Sequence, residues 1–117
     1  MAAVVYFVKD LLFTSKIREA ASHLGVTVTS ARDPDGLVAA AREARLVIVD
    51  LRLPDALEAL GRLVADPVAS EVASVGFVDH ELTDVMDAAR SRGCREVMAK
   101  GQFAAALPTL LKDLAAS

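Results

Sequence analysis

The chain has 117 residues, a formal net charge of −3, 54% hydrophobic residues and 25% charged residues. That is enough chain to bury one core, and too apolar a composition for disorder. The mild acidity argues against nucleic acid as the main partner, and Cys94, the only cysteine, excludes a disulfide framework or a cysteine-based zinc site. The longest apolar runs, such as Ala2 to Val8, fall far short of a membrane span. The N-terminus lacks the charged lead of a signal peptide, so a cytoplasmic protein with no membrane partner is expected.

Val4-Val5-Tyr6-Phe7-Val8 reads as a buried strand ending at Lys9-Asp10. From Leu11 to Leu24, Phe13, Ile17, Ala20, Ala21 and Leu24 follow helical spacing, and Gly25 is placed to cap the helix C-terminus. Val26-Thr27-Val28-Thr29 is a second, β-branched strand. Asp33-Pro34 starts a helix whose buried face carries Leu37, Ala40, Ala41 and Ala44.

Leu46-Val47-Ile48-Val49-Asp50 is a third strand running straight into a carboxylate, with Leu53-Pro54 after it. Its β-branched run suits a strand covered on both faces. Asp55 is placed to cap a helix with Leu57, Leu60 and Val64 facing inward. Val72 to Val78 is the fourth strand, ending at Asp79-His80. A fourth helix carries Leu82, Val85, Met86 and Ala89 and stops at Gly93. Glu96 to Ala99 forms a short fifth strand before Lys100-Gly101. The last helix, from about Gln102, buries Phe103, Ala106, Leu107, Leu110, Leu111 and Leu114, with Pro108 as an internal source of bending.

Strand and helix thus alternate five times with short connections. Right-handed crossovers then dictate an α/β fold with a doubly wound, five-stranded parallel sheet, for which the strand order 2-1-3-4-5 is expected. In that order the carboxyl edge receives Lys9, Asp10, Asp50, Asp79, His80 and Lys100. Ligands of open α/β sheets bind at that edge. A flavin, dinucleotide or P-loop site would need a glycine- or hydroxyl-rich loop after the first strand. Lys9-Asp10-Leu11-Leu12-Phe13 has no glycine, so no such cofactor is expected. Cys94 has no histidine placed beside it, and His80 reads as an exposed neighbour of a helix start. The Arg42-Glu43-Ala44-Arg45 and Arg90-Ser91-Arg92 clusters read as solvated helix ends.

Over essentially its whole length, residues 1–117, the chain resembles a single receiver domain of the response-regulator (CheY-like, flavodoxin-like) family. Asp50 with Leu53-Pro54 is similar to the phosphoacceptor pattern, Asp10 to the second metal-binding acid, and Lys100 to the lysine after strand five. The resemblance implies that Asp50 takes a phosphoryl group from a histidine kinase. Magnesium would be held by Asp10, Asp50 and, as a replacement acid, Asp79, and Lys100 would neutralise the product.

Three positions depart from the pattern. Lys9 stands where the family has its first acid, Val78-Asp79-His80 replaces the small hydroxyl residue, and Val97 stands in place of the switch aromatic. Asp10, Asp50, Lys9 and Lys100 sum to zero charge where the family pattern sums to −2. One charge pair at ~4 Å and an effective dielectric of about 20 is worth roughly 4 kcal/mol, so magnesium binding is expected to be weakened. Lys9 has two readings: a built-in cation partner of Asp50, or an exposed lysine with no fixed partner.

The leading expectation is a stand-alone, receiver-like signalling protein, not an enzyme, that works by protein–protein contact and has an incomplete phosphorylation site. Its partner would be a histidine kinase, a downstream target or a second copy of the chain, met through the fourth and fifth helices by resemblance. Two alternatives stand beside it: a working phosphoacceptor in a phosphorelay, and a small-molecule-binding α/β domain using the same edge.

Overall fold

The computed structural model describes residues 2–115, Ala115 by its backbone alone. Along the chain run β1 (Val4–Phe7), α1 (Leu11–Leu24), β2 (Val28–Ser30), α2 (Pro34–Ala41) and β3 (Leu46–Asp50). They are followed by α3 (Ala56–Ala65), a 3-10 turn (Ala69–Glu71), β4 (Ala73–Val78), α4 (Thr83–Ser91), β5 (Glu96–Ala99) and α5 (Lys100–Ala115). Among the described residues the strands form one parallel sheet, as the alternation predicts, in the order β2-β1-β3-β4-β5 that suits five such units.

Side chains alternate across the sheet, so each strand feeds two cores. Val5, Phe7, Val47 and Val49 point to the side covered by α2, α3 and α4, where Leu37, Ala41, Ala59, Leu60 and Ala89 meet them. Val4, Tyr6, Ile48, Val75 and Phe77 point to the side covered by α1 and α5, against Phe13, Ile17, Phe103, Leu107 and Leu111. On that second side Phe77 stacks on Phe103 with ring centroids 4.5 Å apart and on Phe13 at 4.8 Å. This aromatic trio compensates for the scarcity of aromatic residues elsewhere, each buried ring contributing a large apolar area.

The helix ends follow from local chemistry. Asp10 caps α1 by accepting from the amides of Leu12 and Phe13, and Asp33 caps α2 by accepting from Gly36. Gly25 closes α1 in the left-handed region (φ 71°), where its amide reaches the carbonyls of Ala21 and Ser22.

Several expectations need correction. Asp55 occupies the N-cap position of α3, but its side chain makes no capping hydrogen bond. The buried stripe of α3 is Ala56, Ala59, Leu60 and Leu63, so Val64 lies past its margin and is half exposed beside Gly93. α5 begins directly at Lys100, two residues earlier than expected, and Pro108 is contained within it. β4 starts at Ala73 because the 3-10 turn takes up the residues before it. Arg42 is no free helix end: its Nε and Nη2 grip Asp66 Oδ2 at 2.9 and 2.6 Å, which ties α2 to the end of α3. Arg45 likewise donates to the carbonyl of Leu114 at 3.1 Å.

Candidate functional site at the carboxyl edge

Parallel register brings the strand ends together. Phe7 pairs with Val49, Asp50 with Phe77, and Val78 with Ala99, so the residues just beyond them share one rim. Asp50 falls on the same side of the sheet as Ile48 and Phe77, the side covered by α1 and α5. The first residue of α5, Lys100, and the cap of α1, Asp10, therefore reach the same point.

Asp50 is buried, at 5% exposure. Its Oδ1 accepts from the Arg52 amide at 3.0 Å, and its carbonyl accepts from the Leu53 amide at 3.2 Å, so the carboxylate and the turn that follows it hold each other. Burial pushes the Asp50 carboxyl above the ordinary carboxylate range, opposed by the Arg52 amide and the charge of Lys100. Asp10 moves the opposite way. The hydrogen bond from the Phe13 amide holds it below that range, with help from Leu12 and Lys100.

Lys100 Nζ lies 3.6 Å from Asp10 Oδ2 and 3.4 Å from Asp79 Oδ1, and 5.5 Å above the ring of Phe13. The other Asp79 oxygen, Oδ2, accepts from Arg52 Nη1 at 3.1 Å. Every oxygen of Asp10 and Asp79 is thus engaged by a protein donor or cation.

Asp10, Asp50, Asp79 and Lys100 come together as the sequence suggests. Lys9 does not. It is exposed and makes no ion pair among the described residues, which corrects the reading of Lys9 as a charge partner of Asp50. Its strand has ended, and the residue after it turns inward to cap α1. The cation that sequence reasoning missed is Arg52. The available signal was its place two residues after Asp50, in the turn whose amide the carboxylate holds.

His80 is exposed and faces Glu81 at 3.9 Å. Val97 is half-buried against the α2–α4 side of the core. Cys94 is buried, its Sγ 3.3 Å from the Glu96 carbonyl, and burial pushes its thiol up. The larger concavities, about 650 Å³ beside α1 and β2 and about 600 Å³ between α1 and α5, are lined by none of Asp50, Asp79 or Lys100.

No protein-family model and no curated relative matches the chain. Solved structures do. The receiver domain of the sensor histidine kinase PA1611 from Pseudomonas aeruginosa PAO1, determined with magnesium in its active-site cleft, has a TM-score of 0.79 at 21% identity, covering 99% of this chain and 98% of that one. A response-regulator receiver domain from Rhodospirillum rubrum gives 0.75 at 19% identity, covering 97% and 94%. The receiver domain of NtrX from Brucella abortus gives 0.74 at 23% identity, covering 96% of each chain. At these identities the likeness is one of fold: the chain has the receiver fold, end to end. No helix among the described residues is long and apolar enough to cross a membrane.

Proposed function

We propose that this chain is a receiver-like signalling module, not an enzyme, that acts by protein–protein contact through a carboxyl edge with an incomplete phosphorylation site. One observation carries the reading. Lys100 and Arg52 already neutralise Asp10 and Asp79 around Asp50. Magnesium takes octahedral oxygen ligands and keeps several waters, so it needs carboxylate oxygens free to face it. Asp10 and Asp79 have their oxygens committed to protein donors and cations, and Lys9 stands at the position of the first acid. Among the described residues, no group of three or more acid, histidine or cysteine side chains is arranged to hold a metal. As folded, the donor set is a weakened fit for that ion.

The partner class is a histidine kinase or a downstream target protein, with a second copy of the chain as a further candidate. The test is incubation with magnesium and acetyl phosphate, followed by intact-mass measurement. An unmodified mass supports the reading. A phosphoryl adduct that disappears in Asp50→Ala overturns it in favour of a working phosphoacceptor. That second reading is favoured by the place of Asp50, buried at the end of β3 and within the electrostatic reach of Lys100. A small-molecule site at the same edge has less support, because the larger concavities lie elsewhere.

A further inference from the structure

Asp79 leaves β4 immediately after Val78, and its two carboxylate oxygens are divided between two cations from different elements. Oδ1 faces Lys100 Nζ at 3.4 Å, and Oδ2 accepts from Arg52 Nη1 at 3.1 Å. The Arg52 backbone and the Lys100 ammonium each have a further contact besides Asp79. The Arg52 amide is tied to Asp50 Oδ1 at 3.0 Å, and the Lys100 ammonium rests over the Phe13 ring at 5.5 Å while also meeting Asp10. An arginine and a lysine that each take a separate oxygen of one anion form the arrangement that binds an oxyanion through charge-assisted hydrogen bonds.

We propose that Arg52 and Lys100 form an oxyanion seat that Asp79 fills from within the chain. The class of ligand it would otherwise take is a tetrahedral oxyanion such as inorganic phosphate. This rests on the reading of the edge as an incomplete phosphorylation site and adds its regulation: an internal carboxylate occupies the cations, so the edge stays neutralised with no incoming group. Asp79 is therefore a positioning residue for Lys100 and Arg52. Lys9, exposed and unpaired among the described residues, takes no part.

The test is titration of inorganic phosphate into the whole chain, without metal, followed by amide NMR. The proteins compared are wild type, Asp79→Ala, Asp79→Asn, and Asp79→Ala combined with Lys100→Gln and Arg52→Gln. Asp79→Ala is expected to bind phosphate about tenfold more tightly than wild type, a difference of about 1.4 kcal/mol. Its shifts should centre on Arg52, Leu53, Lys100 and Gly101. Asp79→Asn, which keeps the shape and removes the charge, should fall between the two, and the triple variant should return to wild-type weakness. Equal binding by wild type and Asp79→Ala, or undiminished binding by the triple variant, would overturn the seat. Asp79 is partly exposed, and a cooperative melt of each variant shows that it is folded. Because no phosphodonor is present, a failure here is distinct from a failure of the incomplete-site reading, which the adduct mass on wild type decides.

Discussion

Leu51 lies directly over Gly76: a Cβ built on Gly76 would stand 2.9 Å from Leu51 Cδ2 and 3.0 Å from its Cγ. The Leu51 amide also donates to the Phe77 carbonyl at 3.0 Å, so the residue after Asp50 is pinned to β4 by both backbone and side chain. The turn that carries Asp50 and Arg52 is therefore set by the absence of a side chain on the neighbouring strand. Gly76→Ala should destabilise the protein by about 1–2 kcal/mol through overpacking. Urea unfolding should show a lower midpoint with an unchanged slope. An unshifted midpoint would mean that Leu51 moves aside freely.

Phe103 closes the aromatic stack beneath the site and is fully buried. Phe103→Ala should cost about 3–5 kcal/mol, the range for deleting a buried ring. Phe103→Leu, which keeps most of the volume, should cost clearly less. Equilibrium denaturation of the two variants reads the difference.

Asp10 serves both as helix cap and as partner of Lys100. Asp10→Ala should lose about 1 kcal/mol, the usual value for an N-cap. Asp10→Asn should retain most of that stability, because an amide oxygen still accepts from Leu12 and Phe13. Thermal melts of the pair separate the capping role from the charge.

Asp50 has its carboxyl raised by burial, so folding disfavours its ionised form. Ionised Asp50 therefore lowers stability at neutral pH. The deficit is relieved as pH falls through the folded carboxyl's pKa, and it is gone below the ordinary value of 3.8. Asp50→Asn should accordingly melt higher than wild type at pH 7, with the gap narrowing on acidification. A variant less stable than wild type at pH 7 would contradict this.

Asp66 shows the opposite sign. The Arg42 guanidinium and the amides of Ala69 and Val68 hold its carboxyl down at about 2, against 3.8 ordinarily. Its contribution is complete above the unfolded value and is lost as pH falls from about 4 through about 2. Asp66→Asn should be less stable than wild type at pH 7, and the two melting temperatures should converge across that window.

The alternation of short β-branched runs with helical stripes was enough to set the fold class, while the strand order is fixed by the tertiary structure. Parallel crossovers leave few arrangements for five such units. Asp10, Asp50, Asp79 and Lys100 were legible for the same reason, since each follows an apolar strand and strand ends in a parallel sheet share one rim. Val64 and Asp55 were misread because a few degrees of helix rotation or a turn's backbone angle decides such positions, and neither is written in residue type. Arg42 was read as solvated because Asp66, its partner, lies 24 positions away.

The sequence alone therefore determined which residues reach the carboxyl edge, because local hydrophobic pattern specifies where each strand ends. Only the tertiary structure decided which charges meet there. Lys9 lies exposed without an ion pair among the described residues and Arg52, exposed as well, is paired, because a carboxylate on β3 holds the turn amide and a carboxylate 27 residues from Arg52 holds its guanidinium. Long flexible side chains take their direction from such distant partners, and no local pattern encodes them.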